Sequence, residues 1–250
     1  MSFGAAAAGA MSRRPPPVGA NGDMPLLIFD CDGVLVDSEY LFARVAAECL
    51  TEAGIAIEPL EAARRFAGVS LKDILASVER ERSTRLPAGF EALLIKREDE
   101  AYARLLEPIA GVRDAILSID SRRCVASSSL PERISESLMV TKLDDLFGEE
   151  ERFSTALVAN GKPAPDIFRY AAQRMGEAPE NCFVVEDSVP GVTGGIAAGM
   201  RVIGFTGGRH CGEGHAARLE SAGAHRVIAE MKLLPETVQG LMPDADRWRS

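Results

Sequence analysis

A run of four apolar residues at positions 26–29 (LLIF), ended abruptly by polar residues, constrains the fold of this chain most strongly. A short continuous apolar run of this kind predicts a strand buried on both faces, as in a parallel sheet. Asp30 follows at the carboxyl end of that strand, the edge where open α/β sheets bind ligands. Asp32 comes two residues later, and side chains at i and i+2 of an extended chain point the same way. We therefore expect both carboxylates to face one small volume, with Gly33 permitting a sharp turn beside them.

The carboxylates of Asp30 and Asp32 would repel each other at this separation unless a cation or a proton lay between them. Oxygen ligands at a strand end suit Mg²⁺, which takes one or two carboxylates and a substrate phosphate and keeps several waters. Taken alone, an Asp-x-Asp pair after a strand is equally consistent with two turn-forming residues. Residues further along the chain must decide between these interpretations.

The composition is that of an ordinary globular protein, with 250 residues of which 46% are hydrophobic and 26% charged. This length suffices for one large domain or for a core with a smaller domain. A net charge of −9 argues against a nucleic-acid-binding surface. Five scattered cysteines without a C-x-x-C pair argue against disulfides or a zinc cage and favour a reducing, cytoplasmic compartment. No apolar run approaches the roughly 18 residues that a membrane helix needs.

The first half of the chain divides into a tail, a strand and a helical insertion. Residues 1–23 are rich in Ala, Gly and Pro, which predicts a disordered tail. After the first strand, helical patterns cover 39–53, with Ser38 as N-cap, then 61–66 and 71–80, the last preceded by a Ser70/Asp73 capping box. Pro87 is predicted to open a further helix that ends near residue 106. Nothing between 40 and 106 predicts a strand.

From residue 108 onward, short strands alternate with helices. The predicted strands are 123–127, 153–155, 182–185, 202–205 and 226–228, and the helices between them begin near 131, 165 and 189. This alternation predicts an α/β fold with a doubly wound parallel sheet. Right-handed crossovers place the carboxyl ends of all the strands on one edge, so we expect the chemistry to collect there.

Polar residues follow three of the later strands. Ser127 and Ser128 end the second strand, where hydroxyls and free backbone N–H groups suit a phosphate oxygen, although a serine-rich turn is an equal alternative. Lys162 precedes a helix and would neutralise crowded carboxylates or phosphoryl oxygens, if it is not a surface residue. Glu186 and Asp187 end a strongly apolar strand, where they are either capping residues or metal ligands.

Four segments together resemble the motifs of the haloacid dehalogenase-like (HAD) superfamily over about residues 25–230. They are DCDGVLVDSE at 30–39, the serine ending the second strand, GKPAPDIF at 161–168 and VVEDSVPGV at 184–192. The resemblance implies that Asp30 is a nucleophile and Asp32 a general acid/base, and that Ser127 and Lys162 hold the phosphoryl group. It also implies that Mg²⁺ is bound by Asp30, the backbone carbonyl of Asp32, and Asp187, with Glu186 ligating directly or through water.

The same resemblance implies a division into domains and an activity. Residues 24–38 and 108–250 would form the α/β core and residues 39–107 an all-helical cap. Within the cap, a loop containing Gly68, Ser70 and Lys72 would face the active site and bind substrate. The expected protein is a monomeric, Mg²⁺-dependent phosphatase that hydrolyses a small phosphorylated metabolite, of the sugar or polyol phosphate class, through an aspartyl phosphate.

Several related activities compete with this interpretation. Dehalogenases and phosphonoacetaldehyde hydrolases of similar fold have no Asp at the position of Asp32. The β-phosphoglucomutases share more of the motifs but carry a His where this chain has Phe42 and an Arg where it has Leu71, which favours a phosphatase. A signalling receiver domain places its acceptor Asp on a middle strand and has no helical insertion after the first. An inactive binding protein is the remaining alternative, although no motif residue is missing.

His210, Cys211 and His215 form a possible second metal-binding group in a glycine-rich loop. Their spacing is not that of a regular zinc motif. We therefore expect no metal at these residues.

Overall fold

The computed structural model describes residues 24–242, so the tail predicted for residues 1–23 lies outside the described residues. Within this part of the chain, six parallel strands form one sheet in the order β3-β2-β1-β4-β5-β6. The strands are β1 (Leu26–Phe29), β2 (Arg123–Ser127), β3 (Arg152–Ser154), β4 (Cys182–Glu186), β5 (Arg201–Phe205) and β6 (Arg226–Ile228). The predicted doubly wound parallel sheet is confirmed, and each predicted strand is present to within one residue at either end.

Helices cover both faces of the sheet and form the segment between β1 and β2. They are α1 (Ser38–Glu52), α2 (Pro59–Phe66), α3 (Leu71–Arg82), α4 (Phe90–Leu105), α5 (Val112–Leu117), α6 (Pro131–Val140), α7 (Asp166–Met175), α8 (Val189–Ala197), α9 (His215–Ser221) and α10 (Leu234–Leu241). Across residues 24–242, no helix is both long enough and apolar enough to cross a bilayer.

The first strand lies in the middle of the sheet and is buried on both faces. Its residues alternate between two apolar clusters: Leu27 and Phe29 face one, while Leu26 and Ile28 face the other. Because both faces are covered, a strand at this position has no polar side, which explains the continuous apolar run. Strands β2 and β4 flank β1, so the carboxyl ends of these three strands lie side by side.

Four helices, α1 to α4, follow β1 directly, and no strand occurs between residues 40 and 106, as predicted. Helix α1 packs against both α2 and α4. The capping interaction predicted for α3 is confirmed, since the backbone N–H of Asp73 donates to Ser70 Oγ at 3.2 Å.

Three predicted helix starts are wrong. Helix α2 begins at Pro59, two residues before the predicted position 61. Asp37, not Ser38, occupies the N-cap position of α1, and the Ser38 hydroxyl donates instead to Asp32 Oδ1 at 2.7 Å. Pro87 does not open α4, which begins at Phe90 after Gly89. Gly89 adopts a positive φ of 81°, a conformation readily available to glycine, and this turn places the start of the helix three residues after the proline.

A matched pair of isoleucine substitutions tests whether the sheet core carries the stability of this fold. Ile203 is fully buried in β5, whereas the Ile95 residue of α4 is 43% exposed. We expect Ile203→Ala to lower the free energy of unfolding by about 2–5 kcal/mol, because it leaves a cavity in a packed core. The matched Ile95→Ala should change it by no more than about 0.5 kcal/mol. Urea denaturation followed by circular dichroism measures both, and equal losses would contradict this assignment of the core.

Candidate active site

Lys162 holds together two carboxylates from two neighbouring strands. Its ammonium donates to Asp30 Oδ1 at 2.6 Å and to Glu186 Oε1 at 2.6 Å. A third hydrogen bond, of 3.0 Å, goes to the backbone carbonyl of Ala126 in β2. The side chain is only 5% exposed, so the charge is removed from water and is paired on every donor direction. Lys162 is therefore not a surface residue but the centre of the strand-end cluster.

Three buried carboxylates meet at the carboxyl ends of β1 and β4. Asp30, Glu186 and Asp187 each offer an oxygen, and these oxygens lie within 4.8 Å of one another. Burial, followed by the negative charge of neighbouring carboxylates such as Glu186, raises the pKa of Asp30 and of Asp187 well above the usual range, although Lys162 opposes this. One ammonium does not balance three carboxylates, and the donor set is oxygen only. These residues fit Mg²⁺, which prefers carboxylate oxygens.

Burial would by itself lower the pKa of Lys162, but the two carboxylates that it contacts outweigh this effect and raise that pKa above its usual value. The ammonium therefore stays charged throughout the range in which enzymes work. Its position supplies a fixed positive charge beside Asp30.

Glu186 has both carboxylate oxygens engaged by the protein itself. Besides Lys162 on Oε1, its Oε2 accepts hydrogen bonds from the backbone N–H and the hydroxyl of Ser188, both at 2.9 Å. A Cβ at Gly191 would lie 1.8 Å from Oε1, so this position of α8 must lack a side chain. Glu186 is thus a fully buried acceptor that fixes both Lys162 and the start of α8.

The carboxylate of Asp32 lies apart from this group and is surrounded by hydroxyls. Ser129 Oγ donates to its Oδ2 at 2.6 Å, and Ser38 Oγ donates to its Oδ1 at 2.7 Å. The Ser127 hydroxyl is more distant, at 3.4 Å from Oδ2. Sequence reasoning did not identify Ser38 or Ser129 as partners of Asp32. The run of three serines after β2 was the available signal for Ser129, whereas Ser38 resembled a helix cap.

The serine loop after β2 presents its three residues differently. Ser127 is fully buried, and its oxygen accepts a hydrogen bond from the backbone N–H of Ser129 at 3.0 Å. Ser128 is exposed, and its carbonyl accepts a hydrogen bond from Thr155 at 3.3 Å. The Ser154 hydroxyl donates to the carbonyl of Ser129 at 2.6 Å. Strand β3 therefore holds the shape of this loop next to Asp32.

Two histidines contact Asp187, and sequence reasoning assigned neither a role at this site. His210 Nε2 lies 2.9 Å from Asp187 Oδ2, and His215 Nε2 lies 2.6 Å from the backbone carbonyl of Asp187. Both residues lie after β5, which neighbours β4 in the sheet. The glycine-rich loop brings His210, Cys211 and His215 close together despite their irregular spacing.

Gly68, Ser70 and Lys72, predicted to bind substrate, are exposed at the α2–α3 connection. Ser70 also caps α3, and no hydrogen bond among residues 24–242 joins these three residues to the carboxylate group. Glu39, in the first turn of α1, is affected by the site instead. Burial raises its pKa to about 7, and the charges of Asp187 and Asp32 add to this effect against an opposing contribution from His210.

Removing the ammonium tests whether Lys162 is the partner that makes the carboxylate cluster tolerable. At neutral pH and in the presence of a chelator, we expect Lys162→Met to lower the free energy of unfolding by roughly 3–5 kcal/mol, because the buried carboxylates lose their counter-charge. The double variant Lys162→Met, Glu186→Gln should lose less free energy of unfolding than the sum of the losses in the two single variants. Urea denaturation of the single and double variants measures this coupling. Lys96→Met is the matched control, since the Lys96 side chain is 74% exposed. Strict additivity of the losses caused by the Lys162 and Glu186 substitutions would refute the expectation.

Comparisons with known proteins agree with the fold and the order of these residues. The family model of the haloacid dehalogenase-like hydrolases matches residues 24–199. The chain is 34% identical to the 6-phosphogluconate phosphatase of Escherichia coli K12 over 186 residues, covering 74% of this chain and 83% of that protein. It is also 34% identical to hexitol phosphatase A of the same organism, over 70% of this chain and 80% of that protein.

A solved structure supports the same assignment. The crystal structure of a haloacid dehalogenase-like protein of unknown function from Agrobacterium tumefaciens superimposes with a TM-score of 0.79. The two chains are 43% identical, and the match covers 87% of this chain and 98% of the other. The family match extends over more than half of the chain and includes Lys162 and the strand ends that carry Asp30, Ser127 and Glu186. This chain therefore belongs to the haloacid dehalogenase-like hydrolases.

Proposed function

We propose that this protein is a Mg²⁺-dependent phosphatase that hydrolyses a small phosphorylated metabolite through an aspartyl phosphate on Asp30. The observation that carries the proposal is the environment of Asp30. Lys162 holds its Oδ1, while its Oδ2 accepts no hydrogen bond from residues 24–242. One oxygen is thus fixed by a positive charge and the other is available to attack phosphorus. The strand end places this carboxylate where ligands reach an open α/β sheet.

The carboxylates around Asp30 have different proposed roles in binding the metal. We assign Asp30 and Asp187 as side-chain ligands of Mg²⁺, with the backbone carbonyl of Asp32 completing the protein ligands. Because both oxygens of Glu186 are engaged by Lys162 and Ser188, we assign Glu186 to the metal through water. When bound, Mg²⁺ supplies positive charge that offsets the repulsion between carboxylate and phosphate.

In this mechanism Asp30 attacks phosphorus in line, and Asp32 protonates the leaving alcohol. Asp32 then removes a proton from the water that hydrolyses the aspartyl phosphate. The hydroxyls of Ser38 and Ser129, each under 3 Å away, orient the Asp32 carboxylate for both proton transfers. Lys162 and the serine loop of Ser127 and Ser128 hold the phosphoryl oxygens, on which the transition state concentrates charge.

The substrate class follows from the relatives rather than from the cluster itself. The two enzymes described above carry the names 6-phosphogluconate phosphatase and hexitol phosphatase. We therefore propose a sugar or polyol phosphate. Residues 39–107 would form a cap over the strand ends, with Gly68, Ser70 and Lys72 exposed toward the leaving group. The side chain of Arg64 in α2 already lies close to the loop after β5, since a Cβ at Gly212 would be 3.1 Å from its Cγ.

Transfer of the phosphoryl group to a second sugar hydroxyl, as in a mutase, is disfavoured by two packing observations. Phe42 and Leu71 occupy the positions at which the mutases carry a His and an Arg. In this protein both side chains are partly buried and pack against the apolar cluster that contains α1 and α4. Neither can donate a proton or bind a phosphate, so hydrolysis by water is the better supported reaction.

Chelation tests the metal requirement. We expect release of inorganic phosphate from a panel of sugar and polyol phosphates to fall to background in excess EDTA and to return with added Mg²⁺. The reason is that three crowded carboxylates need a cation beyond Lys162 before a phosphate dianion can approach. Undiminished turnover after exhaustive chelation would disprove the metal assignment. Ca²⁺ in place of Mg²⁺ provides the control, because its larger, more flexible coordination shell should position the reactants poorly.

Two substitutions separate the roles of the first motif. Asp30→Asn should abolish turnover and the covalent intermediate, because the nucleophile is lost. Asp32→Asn should slow hydrolysis of an alkyl phosphate by roughly 10²–10⁴-fold, because the leaving group lacks its acid. With an activated aryl phosphate, the first step of Asp32→Asn should be partly rescued and the phospho-enzyme should accumulate.

Rapid quench followed by intact-mass measurement detects that phospho-enzyme. Asp120→Asn is the matched control for the substitutions themselves, since Asp120 is exposed and precedes β2, at the end of that strand opposite to the candidate site, and should leave the covalent step in place. If Asp32→Asn gave no added phosphoryl mass while Asp30→Asn still turned over, the two roles would be wrongly assigned.

A further inference from the structure

The loop between β5 and α9 holds Asp187 at two points. His210 Nε2 contacts the carboxylate oxygen Oδ2 at 2.9 Å, and His215 Nε2 contacts the backbone carbonyl at 2.6 Å. We propose that His210 is a positioning residue, which orients the Asp187 carboxylate for metal binding and thereby sets the affinity of the site for Mg²⁺. This inference rests on the proposed function only in that Asp187 is taken to be a metal ligand.

The imidazole of His210 is fitted between two glycines, and its residue is 3% exposed. A Cβ at Gly33 would lie 2.9 Å from His210 Cε1, and a Cβ at Gly208 would lie 2.6 Å from the same atom. Gly33 also leaves room for Asp187, whose Oδ2 would be 1.9 Å from a Cβ there. Gly33 has a φ of 80°, so glycine suits this position for its backbone as well as for space. The ring therefore has little freedom to turn away from Asp187.

The contacts of His210 identify the nitrogen that carries a hydrogen. An ionised carboxylate only accepts hydrogen bonds, so a hydrogen bond between Nε2 and Asp187 Oδ2 requires the hydrogen to be on Nε2. The other nitrogen, Nδ1, is buried and has no hydrogen-bond partner among residues 24–242. Because a buried unpaired nitrogen costs stability, the contact with Asp187 is the property that accounts for a His at this position.

His215 supports the same arrangement from the backbone side. Arg218 Nη2 donates to His215 Nδ1 at 3.0 Å, so Nε2 of His215 carries the hydrogen that it donates to the Asp187 carbonyl. The loop therefore anchors the main chain of Asp187 through one ring and its carboxylate through the other. Without the contact from His210, repulsion by Asp30 and Glu186 would favour an Asp187 carboxylate turned away from these two residues.

A different interpretation treats this cluster as a site for a thiophilic metal such as Zn²⁺. Cys211 Sγ lies 3.3 Å from His210 Nε2, and His210, Cys211 and His215 offer ligand atoms within 4.8 Å of one another. However, the Nε2 atoms of both histidines already contact Asp187, and burial and the charge of Asp187 raise the pKa of the Cys211 thiol to about 12. The contacts therefore favour positioning of Asp187, and zinc binding becomes an outcome of the test.

The test compares His210→Ala with His210→Gln in the full-length protein. Mn²⁺, which prefers the same oxygen ligands as Mg²⁺, is titrated without substrate and its free concentration is read by electron paramagnetic resonance. We expect His210→Ala to weaken Mn²⁺ binding about 10- to 100-fold, as for other residues that orient a metal ligand. His210→Gln should restore most of the affinity, because its amide N–H can replace Nε2–H. In phosphate-release assays, the half-activating Mg²⁺ concentration should rise while kcat at saturating Mg²⁺ changes little.

His225→Ala is the matched control, since His225 accepts a hydrogen bond from the backbone N–H of Val202, and no hydrogen bond or ion pair among residues 24–242 joins His225 to Asp187. Unchanged Mn²⁺ affinity in His210→Ala would overturn the proposal. The proposal would also be overturned if the wild-type protein, after treatment with chelator, bound Zn²⁺ stoichiometrically and Cys211→Ser did not. If His210→Ala fails to fold, the proposal is tested on His210→Gln alone. Mn²⁺ affinity equal to that of the wild type then supports the proposal, and a loss of Mn²⁺ affinity as large as that of Asp187→Asn overturns it. Weakened Mn²⁺ binding in a protein that hydrolyses none of the phosphates would refute the phosphatase proposal alone.

Discussion

The site depends on one buried ammonium shared between two carboxylates. Lys162 joins Asp30, directly after β1, to Glu186 on β4 and donates its third hydrogen bond to a carbonyl of β2, so a single charge connects three adjacent strand ends. In a region of low dielectric, removing that charge would leave like charges facing each other without water. The sheet provides the position, and the loop before α7 provides the charge. The proposed nucleophile, Asp30, and the ammonium beside it are therefore parts of one structural unit.

Each acid at this edge of the sheet is held by a different kind of donor. Lys162 holds Asp30, hydroxyls surround Asp32, backbone and serine donors complete Glu186, and a histidine contacts Asp187. The donor decides how each carboxylate can be used. In the mechanism that we propose, Lys162 supplies a positive charge beside Asp30, hydroxyls orient Asp32 for proton transfer, and Glu186, with both oxygens engaged, serves as a support. Four acids of similar chemistry thereby have four different environments, which is the basis of the separate roles that we propose for them.

The sequence predicted the sheet and the location of its chemistry because both are encoded locally. A buried parallel strand must be apolar on both faces, so LLIF at 26–29 and the apolar run ending at Val185 are identifiable without any contact information. The chain direction then places Asp30, Ser127 and Glu186 at one edge. The strands matched to within one residue, whereas α4 began later than Pro87 because a glycine turn intervenes.

What the sequence by itself determined was the set of strands, their direction and the acids that end them. Only the tertiary structure decided which donor meets which acid. Ser38 resembled a helix cap but contacts Asp32, and His210 resembled an unrelated loop residue but contacts Asp187. Ser38 and Asp32 are only six positions apart, but their contact depends on how the chain turns between β1 and α1, and His210 reaches Asp187 from the loop after a different strand. Local patterns do not encode such contacts, because a hydroxyl or an imidazole has the same sequence signal wherever its partner lies.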